Sequence, residues 1–174
     1  MIDQKRASIA AKQGFDLWIG EKPDQAVAHY QEALLFADPM HYGLPDYHSE
    51  FAQVLALLGR PSEALEQFQS AIAVQLRQDP DDFSICVVIP RYFLGQHFLN
   101  QRRPLEAIQA VEPSLKEGSA GQWLLHWIRA LAFEALERHS DAAQALTNAM
   151  LAAPDDAKRD QLKAMFAESA ADRA

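Results

Sequence analysis

The sequence predicts an all-α fold built from four copies of one antiparallel helical hairpin. Three observations carry this prediction: a repeated segment, a constant spacing between small residues, and apolar residues that recur at helical intervals. The clearest copy of the segment covers residues 59–71, where Gly59 suits a turn and Pro61 favours the first turn of a new helix. Ala64 and Phe68 then fall on one face of that helix.

The same segment recurs three more times, and each copy carries one alanine in its second helix. These alanines are Ala26, Ala64, Ala107 and Ala142. Twelve residues before them lie the small residues Gly14, Ala52, Gly95 and Ala130. Three residues after the small residues lie Leu17, Leu55, Phe98 and Phe133. An offset that is constant in four copies predicts that the two helices of each hairpin cross closely at an equivalent point.

This pattern resembles that of the tetratricopeptide repeat family, in which a small residue, an aromatic residue, an A-x3-F segment and a closing proline mark each repeat. The resemblance covers roughly residues 7–154. It implies one domain over residues 1–174, a tetratricopeptide-like α-solenoid. The four repeats are expected at about residues 7–40, 45–80, 84–117 and 121–154, followed by a capping helix at 155–172. Such a helix is expected because the last repeat otherwise exposes its apolar side to water.

The apolar stretch at residues 83–90 lies in the insertion between the second and third repeats. Two structures remain open for it. Either Ser84 caps a helix that Pro90 kinks, or an extended segment leads into a helix with Pro90 in its first turn. The first is favoured. A stretch of this kind is expected to be buried against the hairpins or against a second molecule, so a homodimer contact through it is an alternative function.

Composition narrows the classes of partner. The chain has 174 residues, of which 49% are hydrophobic, and a formal net charge of −8. That charge argues against nucleic acid or an anionic membrane as the main partner, and favours an apolar or basic protein surface over an acidic one. Cys86 is the single cysteine, the N-terminal residues carry mixed charges, and no apolar run approaches the roughly 20 residues that span a bilayer. These features predict a cytoplasmic protein.

The family resemblance implies that the first helix of each hairpin lines a concave groove that binds a partner segment. Projecting the groove positions onto this chain gives Phe15, Trp18, Ser49, Gln53, Tyr92, Gln96, Trp127 and Leu131. For any single aromatic residue among them, ordinary core packing is the commoner role. Together they favour a groove suited to an amphipathic helix or to an extended segment with bulky anchors.

Some members of the family hold an acidic C-terminal peptide with Lys, Asn and Arg side chains on these helices. The corresponding positions here are Ala11, Phe15, Glu50, Ile89 and Phe93, which include no cation. Binding of an acidic tail is therefore not expected.

A second group of polar residues lies beside the groove aromatics. Arg91, His126 and Arg129 can form a local basic spot that holds a carboxylate. Alternatively they pair with Glu134 or other nearby acids, which is the favoured interpretation.

Catalysis and metal binding have little support. Asp38, His41, Asp46 and His48 are ligand types, but their spacing matches no metal-binding motif. The chain has neither a glycine-rich phosphate loop nor a nucleophile elbow. We therefore expect no cofactor, no metal and no enzymatic activity. The expected role is that of an adaptor, chaperone or neutralising partner, by analogy with secretion chaperones or toxin-immunity proteins.

Overall fold

The computed structural model describes residues 2–171, with side chains described for residues 2–168. This part of the chain is all-α. Its helices are α1 Gln4–Ile19, α2 Pro23–Phe36, α3 Leu44–Leu57, α4 Pro61–Gln78, α5 Ile85–Asn100, α6 Pro104–Val111, α7 Gln122–Ala135, α8 His139–Leu151 and α9 Asp156–Ala171, with a 3-10 turn at Glu112–Ser114. The most extensive helix contacts join α1 to α2, α3 to α4, α5 to α6 and α7 to α8. The predicted four hairpins are confirmed, and α9 packs on α8 and α7 as a capping helix.

The chain divides after Pro80 into two compact units. The first unit contains the hairpins α1–α2 and α3–α4. The second contains α5–α6, α7–α8 and α9. The single domain and its repeat limits stay predictions, and residues 1 and 172–174 of the predicted domain lie outside the described residues.

All four hairpins turn with the same backbone geometry. In each turn one residue adopts a positive φ: Glu21 at 59°, Gly59 at 69°, Arg102 at 57° and Glu137 at 59°. The next residue donates its N–H over 2.9 Å to a carbonyl five residues earlier, and the accepting residues are Leu17, Leu55, Phe98 and Phe133. This hydrogen bond closes the end of the first helix. The large apolar residues that recur in the sequence thus mark the last turn before each reversal.

The second helices begin after a basic residue at an equivalent place. In three hairpins this residue forms an ion pair with an acid three residues further on: Arg60 with Glu63 at 2.6 Å, Arg103 with Glu106 at 3.0 Å and Arg138 with Asp141 at 2.7 Å. All three pairs are solvent-accessible, so water and salt screen them and they add little to the stability of the fold. Their equivalent positions show that the second helix starts in the same way in these three hairpins.

Small residues lie where the helices cross. A methyl group on Gly14 would lie 3.0 Å from the Tyr30 ring, and one on Gly95 would lie 3.0 Å from Val111 and 2.7 Å from Ile128. Tyr30 and Val111 each follow the repeat alanine of their own hairpin by four residues. The remaining small residues and the repeat alanines, Ala26, Ala52, Ala64, Ala107, Ala130 and Ala142, are all fully buried. In the first and third hairpins the small residue therefore lies close to a neighbouring helix, as the spacing predicts, and in the other two hairpins both spaced residues are buried.

The stretch at residues 83–90 is helical for most of its length. The Ser84 hydroxyl accepts from the backbone N–H of Cys86 at the start of α5, and Pro90 lies inside the helix. Val87 and Val88 are buried, whereas Ile89 is exposed. The Ser84 cap and the helix through Pro90 of the favoured alternative are confirmed. No helix within residues 2–171 combines the length and apolarity that crossing a membrane requires.

Candidate functional site

The first unit contains a cleft between α1, α3 and the loop that joins α2 to α3. Its volume is about 410 Å³. Its lining residues are Ser8, Ala11, Lys12, Phe15, His41, Tyr42, Gly43, Asp46, Tyr47 and Glu50. The cleft thus lies on the first helices of both hairpins, the face on which the sequence predicts a binding groove.

A buried tyrosine positions one carboxylate of the cleft. Tyr30 on α2 is fully buried, and its ring stacks on Phe51 with 5.8 Å between ring centroids. The absence of a side chain at Gly14 leaves room for this ring. The Tyr30 hydroxyl then donates a 3.0 Å hydrogen bond to Glu50 Oε2. The close helix crossing in the first hairpin therefore also orients a side chain of the cleft.

Two carboxylates lie one helical turn apart on α3. Burial raises the pKa of Glu50, the hydrogen bond from Tyr30 lowers it, and the charge of Asp46 raises it. Partial loss of hydration also raises the pKa of Asp46, although this residue is exposed. Among the described residues neither carboxylate has a salt-bridge partner, and Lys12, which also lines the cleft, lies 2.8 Å from Asp16. The two carboxylates of the cleft are therefore not held in an ion pair.

Aromatic rings form the wall of the cleft. The His41 ring lies 4.6 Å from Tyr42 and 6.0 Å from Tyr47, measured between centroids. The Tyr47 hydroxyl donates to Ser8 Oγ over 3.1 Å. Tyr42 is 84% exposed and stands at the rim. The two ring-bearing residues of this loop, His41 and Tyr42, therefore line the cleft.

The loop is held in place from both sides. On α1, the Gln4 side-chain carbonyl accepts from the backbone N–H of Asp38 at 2.8 Å. On α4, the Gln78 side-chain amide donates to the carbonyl of His41 at 2.9 Å. These contacts link positions far apart in sequence, so no local motif predicts them.

The suspected metal ligands serve other purposes. His48 Nδ1 forms a 2.8 Å hydrogen bond with Gln67 Oε1, and Asp38 Oδ1 accepts from the backbone N–H of Met40 at 2.9 Å. In the part of the chain that the structure describes, no three His, Cys, Asp or Glu side chains lie close enough together to hold a metal ion.

The predicted groove residues of the first unit differ in accessibility. Phe15 lines the cleft and is 41% exposed. Trp18 is half-buried and meets Phe15 edge-on at 5.9 Å. Ser49 is buried and Gln53 is half-buried, and neither lines the cleft. Sequence reasoning did not assign Tyr47 to the site, although it faces the same cleft.

In the second unit the predicted groove residues pack largely as core. Trp127 is 6% exposed, and its ring lies 6.2 Å from that of Phe166 on α9. Tyr92 and Leu131 are half-buried around the same cluster, while Gln96 is exposed and hydrogen-bonds Tyr92. That these residues contact a partner stays a prediction.

The three residues of the predicted basic spot, Arg91, His126 and Arg129, differ in their contacts. Arg91 donates to Asp82 over 2.7 Å and to the carbonyl of Ala110 over 3.2 Å, so the expected ion pairing holds for Arg91. Its partner is Asp82, whereas Glu134 pairs with His139 at 3.1 Å.

His126 and Arg129 form no such pair. Burial lowers the pKa of His126, and the charge of Arg129 lowers it further. Arg129 makes no salt bridge within the described residues, and its guanidinium lies 5.4 Å from the Phe133 ring centroid. His126 lines a second cleft of about 630 Å³, in which Lys116 and Glu117 bring opposite charges. That cleft has no dominant charge of its own.

Four helical hairpins closed by a capping helix define a protein of the helical-repeat, solenoid class. A family model described as tetratricopeptide repeat matches residues 12–83 and 92–157. The chain belongs to the tetratricopeptide repeat family. Repeats of this family generally mediate protein–protein interaction and are generally non-catalytic.

Solved structures with the same fold are distant in sequence. BtubC (BKLC) from P. vanneervenii superposes with a TM-score of 0.74 at 15% identity, covering 92% of this chain and 64% of BtubC. A MamA protein gives 0.68 at 16% identity, with 87% and 75% covered. MamA 41-end from Desulfovibrio magneticus RS-1 gives 0.63 at 17% identity, with 94% and 90% covered. These similarities extend to the fold alone. No curated protein matches the chain.

Proposed function

We propose that the chain is a non-catalytic interaction module that binds a segment of a partner protein on the first helices of its hairpins. The observation that carries this proposal is the open cleft of the first unit, where Phe15 and Tyr42 leave apolar surface accessible. Accessible aromatic side chains in a concave site are the usual anchors of protein interfaces. A partner side chain seated there would bury this surface.

The proposed contacts extend beyond the cleft. In the first unit the proposed contacts are Gln53 and Trp18, whose ring meets that of Phe15 edge-on, while the buried Ser49 has a supporting role. In the second unit the proposed contacts are Tyr92, Gln96, Leu131, His126 and Arg129. Trp127 and Arg91 have a supporting role there, because the first is buried and the second is paired with Asp82.

The proposed partner is apolar or basic rather than acidic, and is neither nucleic acid nor membrane. The net charge of −8 supports this choice, as does the absence of any cation at Ala11, Phe15, Glu50, Ile89 and Phe93. A cytoplasmic adaptor, chaperone or neutralising protein fits this description, including one that acts as a secretion chaperone or an immunity protein does.

The test is selection of random peptides displayed on phage, followed by site mapping. Peptides selected on the intact chain should lose at least about fivefold in affinity on Phe15→Ala, as an interface anchor worth 1 kcal/mol or more does. Leu35→Ala is the matched control, since Leu35 is 72% exposed on α2 and outside the cleft. Equal losses with both variants, or no selected peptide, would refute the proposal.

Self-association through residues 83–90 is a second candidate. Ile85 and Ile89, one turn apart on α5, are 38% and 40% exposed, so part of this apolar stretch faces outward. Sedimentation equilibrium of the intact chain and of Ile89→Asp tests the idea. A dimer that the substitution dissociates supports this candidate, and a monomer at high concentration removes it.

A further inference from the structure

We propose that the cleft of the first unit is a recognition pocket for one lysine or arginine side chain of the partner. This inference rests on the proposed function and names the chemistry of the residue bound. Two independent features of the cleft point to a cation: a wall of aromatic rings, and two carboxylates without a counter-ion.

The aromatic features come from three separate segments. Phe15 belongs to α1, His41 and Tyr42 to the loop, and Tyr47 to α3. Aromatic faces attract ammonium and guanidinium groups within about 6 Å of the ring centroid, and the attraction grows when water is excluded. The same rings also pack against the methylene chain that leads to the charge. Such a wall suits a long cationic side chain better than a carboxylate.

The carboxylates supply the charge complement. Asp46 and Glu50 occupy positions i and i+4 of α3 and therefore face the cleft together. Tyr30 satisfies only Oε2 of Glu50, so the other carboxylate oxygen remains an acceptor for a ligand. Partial burial opposes the ionised form of Glu50, and a bound cation offsets that effect. A neutral or acidic side chain gives no such compensation.

Lys12 is the one cation in the lining, and its position leaves the pocket open. Its ammonium lies 2.8 Å from Asp16 on the exposed side of α1, in an i,i+4 pair. Among the described residues no salt bridge joins it to Asp46 or Glu50. The volume of about 410 Å³ is at the small end for ligand sites and suits one long side chain with its flanking backbone.

The experiment compares two double variants of equal net charge. Asp46→Asn/Glu50→Gln removes both cleft carboxylates while keeping side-chain size. The control, Asp24→Asn/Glu66→Gln, removes two exposed carboxylates of the same unit. Peptides selected on the intact chain should be enriched in lysine or arginine. They should bind about tenfold or more weakly to the cleft variant, a loss typical of one charged hydrogen bond, and nearly unchanged to the control. Replacing the basic residue of the peptide by norleucine or citrulline should give a similar loss.

The outcomes separate this inference from the proposed function. Peptides that depend on Phe15 but show no basic enrichment, or that bind the cleft variant as tightly as the intact chain, overturn the cation pocket and leave the interaction module standing. Equal weakening by both double variants also overturns it, because attraction to net charge then suffices. Tight binding of Nα-acetyl-lysine amide, which keeps the side-chain ammonium, overturns the assignment to a partner protein if it occurs without any flanking peptide. Failure to select any peptide refutes the proposed function itself.

Discussion

The left-handed residue in each hairpin turn permits a direct test of how the repeats close. Three turns place Glu21, Arg102 or Glu137 at a φ of 57–59°, whereas the remaining turn uses Gly59 at 69°. The side chains of these residues are exposed. We predict that glycine is more stabilising than alanine at all four positions, whatever the natural residue.

The expected magnitude follows from two opposing effects. A residue with a Cβ atom loses about 1–2 kcal/mol in the left-handed region relative to its preferred conformation. Glycine loses some of this advantage, roughly 0.5–1 kcal/mol, because its unfolded chain has more freedom. The net difference is therefore roughly 0–1.5 kcal/mol at each site, with a midpoint of about 0.75 kcal/mol. For a chain of this size, 1 kcal/mol corresponds to a shift in Tm of about 2–4 °C.

The assay is urea and thermal unfolding of glycine and alanine variants at each position, followed by circular dichroism of the helices. At Glu137, alanine removes the charge and keeps the strain, and glycine removes both, so their difference isolates the backbone. Glu21→Gly and Arg102→Gly should raise stability over the natural chain, and Gly59→Ala should lower it. If the two units unfold separately, the Glu21 and Gly59 variants should move the transition of the first unit only.

Alanine as stabilising as glycine at two or more of these positions would refute the reasoning. The positive φ would then carry no measurable cost, and the hydrogen bond that closes each turn would have to be the dominant contribution.

Three further substitutions probe the site and the core. Glu50→Gln should raise stability at neutral pH. The pKa of Glu50 is higher in the folded chain than in the unfolded chain, so ionised Glu50 destabilises the fold at pH values above its folded pKa. The gain from glutamine should therefore vanish as the pH falls through the folded pKa towards the unfolded pKa. Gln122→Ala should cost about 2–4 kcal/mol, since the buried amide bonds two backbone groups of residues 114–116 at 2.9 Å each. Gly95→Ala should cost roughly 1 kcal/mol, because contact with Ile128 at 2.7 Å outweighs the gain in helix propensity.

Each of these has its own control, and all are measured as unfolding free energies from urea titrations. A gain from Glu50→Gln that persists unchanged at acidic pH would contradict the role of burial at Glu50. A Gln122→Ala chain within 0.5 kcal/mol of the natural one, about the range of ordinary surface substitutions, would contradict the loop anchor. In an Ile128→Ala background the cost of Gly95→Ala should shrink, and an unchanged cost would exclude the contact as its cause.

The hairpins could be predicted because close helix crossing restricts residue size. A bulky residue at Gly14 or Gly95 would collide with Tyr30 or Ile128, so the requirement appears in the sequence at every copy. The shared turn geometry was harder to predict. Only Gly59 carries the usual residue for a positive φ, and the other three turns adopt it through their hydrogen bonds.

The candidate site was predictable only in outline. The resemblance pointed to Phe15 and to the first helices, but the cleft also needs a loop whose position depends on Gln4 and Gln78, residues remote in sequence. Trp127 shows the opposite difficulty. Its spacing suits a groove and a core equally well, and α9, which supplies Phe166, makes it core.

Helix α9 also limits how far the repeat pattern can continue past the fourth hairpin. Leu162 is buried against the preceding helices, while Lys163 and Glu168 are exposed. Another hairpin packed on the exposed side of α9 would have to remove water from those charged groups as well as cover the exposed Met165. The helix thus completes the apolar interior and presents a surface that discourages further end-to-end growth.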